Sequence, residues 1–182
     1  DENSVVRADA REIGNGGKIV AWGTNLLRSA GQLFARGGVN GGDGGFIETS
    51  SLGQLEVITT PDVSAFTGAG GMWLLDPANI RIVAGNATTN IDTANPFAVG
   101  NGPQDAELGV QQIVTALMSG DVTIKTTDNN TPGAGNIILT VPLDFNQINP
   151  NDPNQVPRSL SLLAEGEIRI QANIFDSASS VG

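Results

Sequence analysis

The 182-residue chain has no cysteine, no histidine and no tyrosine. Without cysteine it holds no disulfide, no thiol nucleophile and no Cys-based metal site. A serine nucleophile would find no histidine to activate it, which excludes the Ser-His and Cys-His hydrolase arrangements. Most zinc architectures are excluded on the same ground. No apolar run approaches the roughly 18 residues that a transmembrane helix requires. No signal peptide and no Walker loop are visible. Basic residues are scarce, 9 against 19 acids, for a net charge of −10. A strongly acidic surface repels nucleic acid and anionic lipid, and both are set aside as partners. The charge itself reads as a device for solubility. Lack of cysteine leaves the compartment open, because secreted bacterial proteins can avoid cysteine altogether.

What the chain does have is glycine, 24 residues of it, and enough hydrophobic residues (39%) to form one core. Many short β-like runs in a Gly-rich, aromatic-poor sequence indicate an all-β fold with frequent tight turns. The phrase Gly-x-Gly-Gly followed by an apolar strand occurs three times. It is Gly14-Asn15-Gly16-Gly17 before Lys18-Ile19-Val20-Ala21-Trp22, then Gly42-Asp43-Gly44-Gly45 before Phe46-Ile47-Glu48-Thr49, then Gly68-Ala69-Gly70-Gly71 before Met72-Trp73-Leu74-Leu75. The intervals between the last glycines are 45 − 17 = 28 and 71 − 45 = 26 residues. A degenerate copy, Gly133-Ala134-Gly135, precedes Asn136-Ile137-Ile138-Leu139. A second phrase, apolar-x-Ala, runs out of step with the first at Val6–Ala8, Leu33–Ala35, Val63–Ala65, Leu162–Ala164 and Ile170–Ala172. Leu26-Leu27-Arg28 and Leu55-Glu56-Val57 form a third run between them.

Three short strands per 26 to 28 residues, recurring at near-constant spacing, fit stacked rungs better than hairpins. The expected fold is a right-handed parallel β-helix of six or seven rungs, a rod roughly 30 Å long at about 4.8 Å per rung. Strand alternation predicts Ile19, Ile47 and Trp73 stacked inside, with Ala21, Thr49 and Leu75 at the next inward position. Burying Lys18 or Glu48 instead would be prohibitive. Residues 1–84 read as regular rungs and 85–121 as an insertion. Residues 122–182 read as further rungs carrying an exposed Pro-rich loop, 146–158. Within the insertion a short helix is expected over 105–118. Val110, Ile113, Val114 and Leu117 fall at helical spacing there, with Asp105 as N-cap and Gly120 just past the end. The helix would pack on the flank of the coil or between rungs. Strands are expected again at 122–126, 159–164 and 167–172.

The search for chemistry identifies no catalytic, cofactor-binding or metal-ligating residue. Gly41–Gly45 resembles a calcium-binding nonapeptide, but the sixth position is Phe46 where that motif needs Asp. Asp121, Asp128 and Asp152 lie near turns where a chance Ca²⁺ site is conceivable. Parallel β-helices do host polysaccharide lyases and hydrolases, whose sites group carboxylates on one face. Here Glu48 and Glu56 are expected on different faces, while Glu165 and Glu167 flank a turn glycine. Solvated surface is the better reading for all of them. Asn86-Ala87-Thr88 and Asn129-Asn130-Thr131 are sequons, a short motif that arises by coincidence.

Three segments together resemble filamentous-haemagglutinin-type exoproteins exported by two-partner secretion: Gly31-Gln32-Leu33-Phe34-Ala35-Arg36-Gly37-Gly38, Gly42-Asp43-Gly44-Gly45-Phe46-Ile47-Glu48-Thr49-Ser50 and Trp73-Leu74-Leu75-Asp76-Pro77-Ala78-Asn79-Ile80. The resemblance spans about residues 31 to 174. It implies a structural or adhesive shaft segment, not an enzyme, secreted to a bacterial cell surface through an outer-membrane transporter. Its partner would be a receptor or glycan on a host or neighbouring cell. The chain starts within the pattern at Asp1 and stops after Ser-Ala-Ser-Ser, as an internal piece would, and a secretion domain is not evident. Absence of cysteine suits unfolded export, and local rung contacts suit folding on emergence. Loops 85–104 and 146–158 are the expected contact points, and glycosylation at Asn86 or Asn129 carries over as an option of the family. Cut rungs would expose unpaired strand edges and favour end-to-end or edge association. The alternatives are a polysaccharide-binding or -processing β-helix and a ligand-capturing exoprotein. Haem ligation in the latter would have to fall to Met72 or Met118.

Overall fold

The second and third Gly-x-Gly-Gly phrases each deliver the chain onto the strand laid down one turn earlier. The computed structural model describes residues 1–86, 105–127, 135–145 and 158–177. The first turn of the coil holds β1 (Val5–Arg7), β2 (Lys18–Gly23) and β3 (Leu26–Ser29). The second repeats the plan with β4 (Gln32–Phe34), β5 (Phe46–Ser51) and β6 (Gln54–Val57). In the third, a single bridge from Asp62 to Phe34 stands in for the opening strand, followed by β7 (Met72–Pro77) and β8 (Ile80–Val83). After it come β9 (Ala106–Gly109), the helix α1 (Val110–Ser119), β10 (Asp121–Thr126) and β11 (Ile137–Leu139). The remaining strands are β12 (Leu143–Asp144), β13 (Leu160–Ala164), β14 (Ile168–Ile170) and β15 (Ile174–Phe175).

Every strand ladder among the described residues is parallel. The fold is therefore the expected all-β solenoid with one short helix. The first sheet runs β2-β5-β7-β10-β13. Its register places Ile19 on Ile47, Ile47 on Trp73, Trp73 on Val122 and Val122 on Leu160. Ile47, Trp73 and Val122 are fully buried, and Ile19 packs against the same core. Each such side chain contributes roughly 1.5–3 kcal/mol by leaving water. The buried Trp73 indole Nε1 donates to Thr49 Oγ1 at 3.0 Å, so the polar atom of the largest core residue is satisfied from the next inward position one turn below.

The coil has five levels in this sheet instead of six or seven, and two phrases explain the difference. Ile137–Leu139, the strand that follows the degenerate phrase Gly133-Ala134-Gly135, forms β11 and pairs with β8 in the second sheet. The fourth strand of the first sheet is β10, introduced by Gly120 alone. Likewise only the first three apolar-x-Ala copies share a face: Val6 lies on Leu33, and Phe34 bridges to Asp62. Leu162–Ala164 belongs to β13 in the first sheet, and Ile170 belongs to β14 in the second. Alternating apolar and small residues satisfy any inward-facing pleat, so this phrase does not specify a face.

The helix also differs from expectation at its start. Residues 106–109 form β9, α1 begins at Val110, and Gly109 occupies the N-cap position in place of Asp105. β9 pairs with β8 from Ile80 on Ala106 to Val83 on Gly109, burying Ala106 and Leu108. A ladder with two buried side chains outcompetes one more helical turn there. Asp105 instead faces Arg81 at 3.6 Å. The four apolar residues at helical spacing, Val110, Ile113, Val114 and Leu117, are all buried, and Gly120 ends the helix as expected.

β9 is out of order in space. It lies on the edge of β8 and packs against β6, so the chain places a strand between two laid down earlier. This extra level has a geometric use. A helix with its side chains is about 10 Å across, close to two strand spacings. One additional strand in the second sheet gives α1 the height it needs in the wall of the coil. Gln112 secures the joint: its Oε1 accepts from the Gly109 amide at 2.9 Å, and its Nε2 donates to the Val57 carbonyl at 2.6 Å.

Candidate functional site

The first sheet turns its odd positions outward, and stacking makes columns of them. Lys18, Phe46, Met72 and Asp121 form one column, Val20, Glu48, Leu74, Thr123 and Ser161 a second, and Trp22, Ser50, Asp76, Lys125 and Leu163 a third. The Lys18 ammonium sits over the Phe46 ring, 4.9 Å from its centroid. Lys125 Nζ reaches Asp76 at 3.2 Å, and Thr127 Oγ1 donates to the same carboxylate at 3.0 Å. Ser50 Oγ donates to Glu48 at 2.9 Å. In the third column the Lys125–Asp76 pair thus sets opposite charges on adjacent rungs.

Beside the first column runs an open trough of about 600 Å³. Its floor is bare backbone at Gly16, Gly17, Gly44, Gly45, Gly70 and Gly71, and its wall is Lys18, Phe46, Met72 and Asp121. Rungs pack so closely here that a Cβ at Gly44 would strike the Val63 carbonyl and the Gly71 amide. Its backbone angle is ordinary, so close approach, not a left-handed conformation, is what requires glycine. Gly42 two residues earlier is the other case, with φ of 118°.

The variable residue of the Gly phrase has a role that composition did not suggest. Asn15 Oδ1 accepts from the Asp43 amide at 2.8 Å, and Asp43 Oδ1 accepts from the Ala69 amide at 2.9 Å, one turn higher each time. A second ladder links Asn79 to the Asn136 amide at 2.9 Å and Asn136 to the Glu167 amide at 2.8 Å. Asn and Asp recur at those corners because their short side chains cap the next turn's N–H. The signal was present in the sequence as Asn15 and Asp43 at equivalent phrase positions.

Carboxylates do not gather at one catalytic spot among the described residues. Glu48 and Glu56 lie in different sheets, as expected. Glu167 pairs with Arg169 at 2.7 Å, and this hydrogen bond holds its carboxyl below the usual range. No group of three potential metal-binding side chains occurs among the described residues. Asp121 accepts from the Ser159 amide at 2.8 Å, a turn-capping role. Asp128, Asp152 and Asn129 lie outside the described residues, as do residues 87–104 and most of the loop 146–158. Asn86 is exposed, and Thr88 of its sequon lies outside. Met72 lines the trough, whereas Met118 lies on the exposed side of α1.

Two clusters escaped the sequence. On the face built from β1 and β4, Arg7 and Arg36 approach the Phe34 ring at 4.2 and 4.7 Å and share Asp9, each at 3.0 Å. Burial alone would raise the Asp9 pKa, but bonds from the Arg36 side chain and amide and from Arg7 outweigh it and hold it low. On β6 the outward Gln54 and Glu56 are 1% and 4% exposed. The Gln54 amide has no hydrogen-bond partner among the described residues. Arg28 Nε comes within 3.1 Å of Glu56 Oε2, an electrostatic approach without hydrogen-bond alignment. Desolvation pushes the Glu56 pKa up, and Arg28 only partly offsets it.

Comparison with protein-family models and with curated proteins finds no match to this chain.

Proposed function

We propose that this chain is a shaft segment of a large secreted bacterial exoprotein of the filamentous-haemagglutinin type, displayed at the cell surface and without catalytic activity. One observation carries the reading: five parallel strands stack in a single register over one continuous core, the construction of a stiff spacer. A spacer holds contact regions away from the cell, and its own surface needs no active centre. In this reading an outer-membrane transporter exports the protein, and its target is a receptor or glycan on another cell.

The test replaces the 182 residues, within the protein that carries them, by a flexible Gly/Ser linker of equal residue count. A flexible chain spans a much shorter mean distance than its contour. Cell attachment should fall although every contact region remains. Unchanged attachment would refute the shaft role. Loss of the transporter should retain the protein inside the cell, and surface display without it would refute the export route.

A second reading, a polysaccharide-binding or -processing coil, is favoured by the trough with its Lys18, Phe46 and Met72 wall. Incubation with neutral and acidic polysaccharides separates the two. New reducing ends would support processing, retention on a polysaccharide column would support binding, and neither result would leave the shaft alone.

A further inference from the structure

The corners of the coil carry a chemical contrast of their own. The chain has three Asn-Gly pairs, Asn15-Gly16, Asn40-Gly41 and Asn101-Gly102, and the last lies outside the described residues. Such a pair is reactive by nature. The glycine nitrogen can attack the Asn side-chain carbonyl carbon, because glycine has no Cβ to hinder the approach or to restrict the backbone that must rotate. Asn15 and Asn40 are both exposed, so access to water does not separate them.

Their surroundings do. At Asn15 both reacting groups are held by the next turn of the coil. Asn15 Oδ1 accepts from the Asp43 amide at 2.8 Å, and the Gly16 amide donates to the Asp43 carbonyl at 2.8 Å. Gly16 is also wedged between turns, with the Ala35 carbonyl and the Gly45 amide where a Cβ would stand. Its nitrogen has no room to swing toward the side chain. Asn40 is placed differently. With Val39 it forms the tip of a two-residue reversal, closed by the antiparallel bridge between Gly38 and Gly41. The Gly41 amide donates only within that reversal, to the Gly38 carbonyl at 3.2 Å, and no atom lies within 4 Å of where a Gly41 Cβ would stand. Exposed tips of this kind are where backbone opens most easily.

We propose that Asn40 is a site of spontaneous deamidation in the folded protein, and that the coil protects Asn15 from the same reaction. The Gly41 nitrogen bonds to Asn40 Cγ and the Cγ–Nδ2 bond breaks. Ammonia leaves with the proton that the Gly41 nitrogen gives up, and a five-membered succinimide remains. Water then adds to either ring carbonyl and opens the ring. The product is aspartate, or isoaspartate where the main chain now runs through the side-chain carboxyl. Water is the only co-reactant. The change matters because Asn40 ties two turns together: its Nδ2 donates to Glu12 Oε2 at 2.9 Å, and its amide donates to the Glu12 carbonyl at 2.8 Å. Deamidation puts a carboxylate where that side-chain donor stood, so attraction across the turns becomes repulsion between like charges. The inference rests on this corner alone and stands apart from the shaft reading.

The test holds the intact chain folded at mildly alkaline pH and, in parallel, in concentrated urea, and follows both by tryptic digestion and mass spectrometry. Residues 12–18 and 37–81 are released as separate peptides, each with one of the two pairs, and fragmentation assigns the new carboxylate within the longer one. In the folded chain Asn40 should convert at least about tenfold faster than Asn15, since two bonds to the next turn must open before Asn15 reacts. In urea the two should convert at similar rates. Folded Asn15 keeping pace with Asn40, or the two still differing as much in urea, would overturn the proposal. These readings come from the wild-type chain, so no variant has to fold. Asn40→Asp then supplies the charge of the product directly. Amide exchange should speed up at Gly14 and Gly38, which bond across the same corner, and stay unchanged at Ile47 and Trp73. Unchanged exchange at Gly14 and Gly38 would refute the loosening of the two turns.

Discussion

Two of the sheets wrap the same core by different rules. The first adds one strand per turn in chain order, β2-β5-β7-β10-β13, with side chains aligned position on position. The second receives β9 out of order, between β6 and β8. The first tolerates no insertion, because its rungs meet backbone to backbone over the Gly floor. The second leads into α1 at the end of β9 and gains one strand of height there, while the first receives the same helix only at the start of β10, through Gly120. Strand order in a coil follows from which edges are vacant and what must fit beside them, not from sequence order alone. If this is right, the ordered sheet and the inserted unit belong to one cooperative core, and damage to either should be felt by the whole.

The largest effect is expected in the ordered sheet. Trp73→Ala removes a fully buried indole and leaves the Thr49 hydroxyl without its donor. A loss of about 3–5 kcal/mol is expected, measured by urea unfolding. Leu117→Ala is the matching change in the helix, where the side chain is also fully buried. Its expected cost is about 2–4 kcal/mol, in a single transition shared with the strands. A cost below about 1 kcal/mol, or a separate early transition for the helix signal, would make α1 an appendage and break the comparison.

The contrast also explains what could be read from sequence. The ordered sheet was legible because Gly phrases mark each strand and Ile19, Ile47 and Trp73 sit at a fixed offset from them. The helix was legible from Val110, Ile113, Val114 and Leu117 but not its first turn, since Ala106 continues that helical spacing, and Leu108 alone, with Gln111 and Gln112 three and four residues on, fits only the alternating pattern of a strand. The placement of β9 was not legible at all. It depends on which strand edge is free after β8, a property of the assembled coil that no local pattern encodes. The trough and the Asn15–Asp43 ladder were half visible: the residues stood in the repeat, but their meeting across turns needed the register.

Smaller in effect, and more specific to the inserted unit, is Gln112→Ala. Gln112 bonds the Gly109 amide and the Val57 carbonyl, joining β9, α1 and β6 through one buried side chain. Alanine leaves both backbone groups unsatisfied, at a cost of about 2 kcal/mol. Amide exchange should speed up at Gly109 and in β9 well before it does in β5 or β7. Equal acceleration in both sheets would mean that the inserted strand is not held separately by this residue.

The smallest effect, and the one that reports on β6 beside the insertion, is the pH response of Glu56. Its folded pKa is raised by desolvation, with Arg28 pulling the other way. The folded state therefore holds this proton more tightly than the unfolded chain, and stability falls as pH rises from the unfolded value of 4.5 through the folded one. Glu56→Gln keeps the shape and removes the titration. The variant should gain on the wild type with rising pH across that window, then hold a constant difference above it. Asp9 works in the opposite direction, since its lowered pKa lends stability that is lost as pH falls through the folded value. It is present in both proteins and cancels in the difference. A difference that is flat across the window, or that grows as pH falls, would show that Glu56 is better solvated than its 4% exposure implies, and that the outer face of β6 is open to water.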